Sequence, residues 1–282
     1  MKRRTMIACG IIALLFVLLI GRLIYFSIFK NGIYKRQVLS QQNYSSETLP
    51  YKRGDILDRD GNTLATSQKM YTLVLEPKNI LRSEEVQKAT IDALHKYMKL
   101  DEDKLLKFIK RHKDFYYSVY REELSYSQIA DLKDFIASDK AENVSGIVFN
   151  EKYKRRYPNQ SLASQVIGFV SDGTIGTGGI EQYYNSTLSG VDGRKYKYLN
   201  EELEQDSSIV EPENGKTVVT TIDSNIQKLA EDQLSKFEKK YGSKGSSILV
   251  MNPNNGEIYA MANSTSYNLE SPRDDKKYYL KK

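Results

Sequence analysis

The chain has 282 residues, enough for one large or two ordinary domains with a proper core, and its 40% hydrophobic and 28% charged content excludes a disordered chain. A net charge of +6, spread among mixed lysines and carboxylates, does not supply the basic face with interleaved aromatics that nucleic-acid binding needs; it suits solubility and attraction to an acidic membrane or wall polymer. One cysteine, Cys9, excludes an internal disulfide, and two histidines without an H-E-x-x-H run give no basis for a zinc site, so His95 and His112 are read as helix-surface residues.

Residues 1–6 are cationic and read as a cytoplasmic tail. Residues 7–29 are apolar apart from Arg22, Ser27 and a few small residues, long enough to span a bilayer. The run ends in Leu-Ile-Tyr-Phe-Ser-Ile-Phe with no small-residue cleavage site, so an uncleaved signal anchor is expected, with the bulk of the chain outside and Arg22 snorkelling to the outer headgroups. Asn31 to Leu49 is polar and reads as a helical stalk or linker.

Tyr51 to Ala65 combines turn chemistry with short β-prone runs. Gly61 accepts positive φ and Asp60 tolerates it, so Ile56-Leu57 and Leu64-Ala65 are expected to pair as a small hairpin. Its alternating charges, Arg53, Asp55, Asp58, Arg59 and Asp60, fit a solvated loop by composition alone, while their order is more specific than that.

Met70 to Glu76 reads as a strand ended by Pro77. Ser83 caps a helix reaching Leu100, and Asp101 caps a second with Leu105, Leu106, Phe108 and Ile109 inward. Phe115 to Tyr120 is a short aromatic strand, Ser125 opens a helix carrying Ile129, Leu132, Phe135 and Ile136, and Val144 to Phe149 is again a strand. The basic run Lys152 to Pro158 is either a phosphate patch or a strand with a solvated face, the latter being the more usual meaning of such a run. Ser161 to Val170 looks helical. The glycines 173, 176, 178 and 179 match neither G-K-[ST] nor G-x-G-x-x-G and read as a surface loop before a short helix, Ile180 to Leu188. Arg194 to Leu199 and Lys216 to Thr221 read as strands separated by an acidic loop, 201–215. Asp223 caps a long amphipathic helix ending at Gly242, and Ser246 to Asn252 with Glu257 to Asn263 forms a hairpin.

Several of these stretches together resemble the class B penicillin-binding proteins, the bitopic D,D-transpeptidases that cross-link peptidoglycan. They are Arg53-Gly-Asp-Ile-Leu-Asp-Arg-Asp-Gly-Asn-Thr-Leu-Ala65, Arg156-Tyr-Pro158, Ser164 to Val170, Gly178-Gly-Ile-Glu181 and Leu188-Ser-Gly190. Val219 to Asp223 with Ile226-Gln227, and Asn252 to Ala262, complete the set. The resemblance implies an α+β chain with a single N-terminal transmembrane helix at 7–29. It implies a mixed α/β pedestal of the dimerisation type over 30–222, and the incomplete start of a transpeptidase-type α/β domain over 223–282. Arg53, Gly54, Asp58, Arg59, Gly61, Gly179, Glu181 and Asp223 are then structural motif residues, with Arg53, Asp58 and Arg59 as paired charges that hold the pedestal together.

The family's chemistry needs S-x-x-K, S-x-N and K-[ST]-G, because a serine attacks the D-Ala-D-Ala carbonyl only when a nearby lysine helps take its proton. Ser27-Ile-Phe-Lys30 has the first spacing but ends the apolar segment. Ser266-Tyr-Asn268 has the second with no S-x-x-K before it, and Lys216-Thr217 is followed by Val218. The nucleophile is therefore expected beyond residue 282, and no catalytic, cofactor-binding or metal residue is assigned in this chain. The implied partners are the cytoplasmic membrane, peptidoglycan, cell-wall synthesis or division proteins, and a second copy as a homodimer; no cofactor and no nucleic acid are expected. The alternative function is a non-enzymatic, membrane-tethered interaction module. An unfinished sheet after residue 223 is expected to leave apolar faces and strand edges exposed.

Overall fold

The computed structural model describes residues 15–20, 22, 45–171, 174–199, 205–243 and 245–272. Among them no helix is long and apolar enough to cross a membrane. Most of the apolar segment 7–29, with Ser27 and Lys30, lies outside the described residues, as do residues 31–44 of the expected stalk, Gly173 and residues 273–282.

In chain order the elements are β1 (Ser45–Leu49), β2 (Ile56–Leu57), β3 (Thr63–Leu75), α1 (Pro77–Ile80), α2 (Glu84–Met98), α3 (Glu102–Arg111), β4 (Ser118–Leu124), α4 (Tyr126–Ile136) and β5 (Ile147–Arg156). There follow α5 (Ser164–Ile167), β6 (Phe169–Ser171), β7 (Ile175–Thr177), α6 (Gly179–Tyr183), α7 (Asn185–Leu188), β8 (Gly193–Leu199), β9 (Gln205–Val210) and β10 (Val218–Val219). The last are α8 (Ser224–Tyr241), β11 (Ser247–Met251) and β12 (Ile258–Asn263).

The chain divides into two compact units, Met1–Leu49 with Asp192–Pro212, and Pro50–Val191 with Glu213–Lys282. In the first, β1, β8 and β9 form an antiparallel sheet in that order, with Ser46 opposite Tyr196 and Tyr196 opposite Ser208. Two expectations are corrected here. The last residues of the expected helical stalk, Ser45–Leu49, are a strand, and the acidic loop contains β9, because both segments supply partners for the two edges of β8.

The second unit is built on β3. Its residues 66–75 are matched antiparallel by the whole of β5, from Thr66↔Arg156 to Leu75↔Ile147, while β2 pairs with its start, β4 with its C-terminal part, and β10 runs parallel to β2. A strand held on both edges and covered on both faces reads as a continuous apolar run, and Leu73, Val74 and Leu75 are all buried. Helices α1 to α4 close one core around Leu73, Leu75, Ile80, Ile91, Leu94, Leu105, Ile109, Leu124, Ile129 and Leu132. Their starts follow local chemistry: Ser83 Oγ accepts from the Val86 N–H, Asp101 from Lys104, and Ser125 forms a capping box with Gln128.

A second core joins Ile56, Leu64, Tyr157, Ile167, Phe169 and Leu188 to Tyr267 and Leu269 from the segment after β12. A third is small: Ala230 and Leu234 of α8 against Ala260 and Ala262 of β12. The opposite face of the β11–β12 hairpin leaves Leu249, Met251 and Met261 exposed.

The expected helix Ser161–Val170 is only the single turn Ser164–Ile167. Gly168 ends it at φ +75°, where a Cβ would lie 2.0 Å from the Gly178 carbonyl oxygen, so the chain must leave the helix as β6 and pair with β7. The strand expected to end at Phe149 continues through the basic run to Arg156, and the expected strand 216–221 is reduced to Val218–Val219.

Candidate functional site

The turn after β2 is organised by Asp58. Its backbone N–H donates to Asn62 O at 2.9 Å, and its carboxylate accepts the N–H groups of Asp60 (2.9 Å) and Asn62 (2.8 Å), the Asn62 amide (2.8 Å) and the Ser224 hydroxyl (2.6 Å). Burial opposes ionisation of Asp58, but these donors outweigh it and hold the carboxyl down at about 2. Gly61 closes the turn at φ +87°. Asp223, next to Ser224, caps α8 by accepting from the Asn225 and Ile226 N–H groups, and its own N–H donates to Tyr259 O. Arg59 is exposed and lays its guanidinium 4.4 Å from the Tyr259 ring centroid, while its N–H donates to Ile222 O. Asp58, Arg59, Gly61 and Asp223 thus share one locus, which ties the hairpin to the start of α8 and to β12.

Arg53, Gly54, Gly179 and Glu181 form a different locus. Glu181 has no solvent exposure, and Arg53 and Arg155 are 3% and 8% exposed. Arg53 donates through Nε to Glu181 Oε2 at 2.8 Å, through Nη2 to the Glu181 carbonyl at 3.0 Å and through Nη1 to Ser189 Oγ at 2.7 Å. Arg155 donates through Nε to Glu181 Oε1 at 2.7 Å and through Nη1 to the Gly54 carbonyl at 2.7 Å and Ser67 Oγ at 3.1 Å. The Tyr157 hydroxyl reaches Glu181 Oε1 at 3.4 Å. One carboxylate therefore holds two guanidiniums, one from the segment before β2 and one from the end of β5.

Glycines let these segments approach. A Cβ on Gly54 would lie 2.0 Å from the Lys216 carbonyl oxygen, and one on Gly179, at φ +50°, would lie 2.2 Å from Val166 O. Burial, then the Glu181 charge, drives the Tyr157 phenol up, which keeps it protonated. Asp55 sits beside this locus; burial resists its ionisation, but hydrogen bonds from Thr66 and Lys52 and the charges of Lys52 and Arg155 hold it below its ordinary value and offset part of the cationic excess.

Arg155 lies outside every family-matching stretch, and Tyr157 and Ser189 fall inside two of them without being singled out as motif residues. The usable signal for the first two was alternation: Lys152, Lys154 and Arg156 share one face of β5 and pair with Glu122, Glu123 and Glu270, whereas Arg155 and Tyr157 point to the other. The basic run is thus solvated on one face and buried on the other.

With both Glu181 oxygens taken by guanidiniums and Tyr157 held neutral, this cluster is suited to tying segments together and offers no free base. Among the described residues no group of three or more His, Cys, Asp or Glu is placed to hold a metal ion. In Ser266-Tyr-Asn268, the Tyr267 side chain is buried and donates to Ser164 O at 3.0 Å, and Asn268 accepts from the Glu270 N–H. Lys216 donates its N–H to Thr187 O.

Comparison with known proteins matches residues 48–220 to the penicillin-binding protein dimerisation domain. Stage V sporulation protein D of Bacillus subtilis is 28% identical over 271 residues, covering 90% of this chain and 40% of that protein. The probable peptidoglycan D,D-transpeptidase PenA of Neisseria meningitidis is 28% identical over 267 residues, covering 93% and 44%. Among solved structures, penicillin-binding protein 2X from Streptococcus thermophilus superposes with a TM-score of 0.66 at 25% identity, covering 81% of this chain and 36% of that one. The chain spans less than half the length of these relatives.

Proposed function

This chain belongs to the class B penicillin-binding proteins, and from that membership we propose that it is the membrane-anchored N-terminal portion of a peptidoglycan D,D-transpeptidase, its pedestal carrying the catalytic domain away from the bilayer. The parent reaction is serine acyl transfer on D-Ala-D-Ala stem peptides, with S-x-x-K, S-x-N and K-T-G outside these 282 residues. The observation that carries the pedestal reading is the closure of Glu181 on both Arg53 and Arg155, which makes separate segments one rigid support instead of a cleft with a poised base.

The anchor reading is supported by the apolar run 7–29 behind a cationic start, and it puts the bulk of the chain outside the cytoplasmic membrane. Within that reading the pedestal spans 30–222, residues 223–282 open the transpeptidase domain, and the partners are cell-wall synthesis or division proteins and a second copy of the chain.

Two measurements test this. Fluorescent penicillin is expected to leave the purified 282-residue chain unlabelled; covalent label that survives denaturation overturns the absence of a nucleophile. The expressed chain is expected to stay in the membrane through alkaline carbonate extraction; release into the supernatant overturns the anchor. If the reading frame stops here in the genome with no S-x-x-K downstream, the non-enzymatic interaction module replaces the transpeptidase reading.

A further inference from the structure

Helix α3 and the loop that follows it carry a surface that the pedestal reading does not use. From Lys104 to Val119 the chain holds five cations, Lys104, Lys107, Lys110, Arg111 and Lys113, against one carboxylate, Asp114. All five cations are exposed, and none is ion-paired among the described residues. Immediately beyond them, Phe115, Tyr116 and Tyr117 are 58%, 57% and 58% exposed.

These rings stand on an ordered loop. The Phe115 N–H donates to His112 O, the Phe115 carbonyl accepts from Lys78, the Lys78 ammonium lies 4.5 Å from the Tyr116 ring centroid, and the Tyr117 hydroxyl accepts from Asn150. Cations at a helix C-terminus complement its dipole, which accounts for Lys110 and Arg111. It accounts neither for Lys104 and Lys113 nor for three adjacent rings held in water.

We propose that this surface docks on an anionic lipid bilayer. Tyrosine is the ring that settles at the bilayer interface, apolar body inward and hydroxyl toward the headgroups, and Phe115 adds an apolar wedge. Lysines and arginines on long stems reach anionic headgroups around such a wedge, each strengthening the attraction. A soluble polyanion without aromatic groups, such as a glycerol phosphate polymer, would be met by the cations alone and would leave Phe115 in water; the ring cluster is what selects the bilayer over it. The proposal rests on the membrane-anchored reading only for where the lipid is encountered.

The test uses the full chain in lipid nanodiscs, comparing phosphatidylcholine alone with an equal mixture of phosphatidylcholine and phosphatidylglycerol. Amide hydrogen exchange across residues 113–119 is expected to slow roughly tenfold or more in the anionic discs at low salt, and to recover when salt is raised. Lys107→Glu, Lys110→Glu and Lys113→Glu together are expected to abolish the difference while exchange in the Leu73–Leu75 core is unchanged; Phe115→Ser with Tyr116→Ser is expected to reduce it with all charges kept. Equal exchange in the two discs overturns the proposal. So does equal slowing when poly(glycerol phosphate) is added to phosphatidylcholine discs, which would make the surface a polyanion site. A chain that fails to enter discs of either kind refutes the anchor, and anionic vesicles added to that chain still test the patch.

Discussion

Replacing Glu181 by glutamine keeps the volume of the side chain but removes the charge that two buried guanidiniums share. Arg53 and Arg155 remain 3% and 8% exposed, so neither can turn to water without opening the sheet around it. Removing one member of a buried ion pair costs about 3–5 kcal/mol, because the partner is left as an uncompensated buried charge. Here two partners are stranded, so Glu181→Gln is expected at or above the upper end of that range, enough to unfold a domain of ordinary stability. The reverse design is informative. Arg53→Met, Arg155→Met and Glu181→Leu together replace the cluster by apolar side chains of similar reach, and are expected to recover most of the loss. Urea unfolding followed by near-UV circular dichroism, which reports the tyrosine-rich fold, measures both variants. A Glu181→Gln chain within about 1 kcal/mol of the parent would refute the claim that this carboxylate ties together the segments carrying Arg53 and Arg155.

Other outcomes follow from the same structure. Tyr267→Ala empties a side chain from the second core and deletes its hydrogen bond to Ser164 O, so it is expected to cost about 3–5 kcal/mol, read as a fall in melting temperature; no change would show that the segment after β12 does not complete that core. Asp58, held at about 2, is expected to contribute roughly 2 kcal/mol at neutral pH. Because its folded value lies below its unfolded one, that contribution is intact above about pH 4 and is lost as the pH falls toward 2. Asp58→Asn is expected to be less stable at pH 7 and to show a flatter stability curve across that window; parallel curves for parent and variant would contradict it. Gly54→Ala would drive a methyl to within 2.0 Å of the Lys216 carbonyl oxygen, and is expected to yield insoluble chain; a soluble product with the parent's melting temperature would mean that the close approach is not obligatory.

Local chemistry was read well from the residues. Ser83, Asp101 and Asp223 sit where helices begin because each offers a short side-chain oxygen to an unsatisfied N–H, and Gly61 sits where the hairpin turns because it tolerates positive φ. The basic run was ambiguous for a definable reason. Charge counts ignore the two-residue period that sends Lys154 and Arg156 one way and Arg155 the other, and only the partner lying behind the strand decides what an inward arginine means. The helix expected over 161–170 is cut to one turn because Gly168 lies against the carbonyl of Gly178, a constraint set ten residues away that helical periodicity does not register.

The order of turns, caps and motif segments by itself determined which family the chain belongs to and where helices α2, α3, α4 and α8 start, since caps and turns depend on interactions within a few residues. The tertiary structure alone decided that Arg53 meets Glu181 across 128 residues, that Arg155 shares the same carboxylate, and that Tyr267 and Leu269 fill a core begun at Ile56. Those contacts are chosen by which buried charges and apolar faces can be satisfied together once the sheet has formed, and no local pattern encodes that competition.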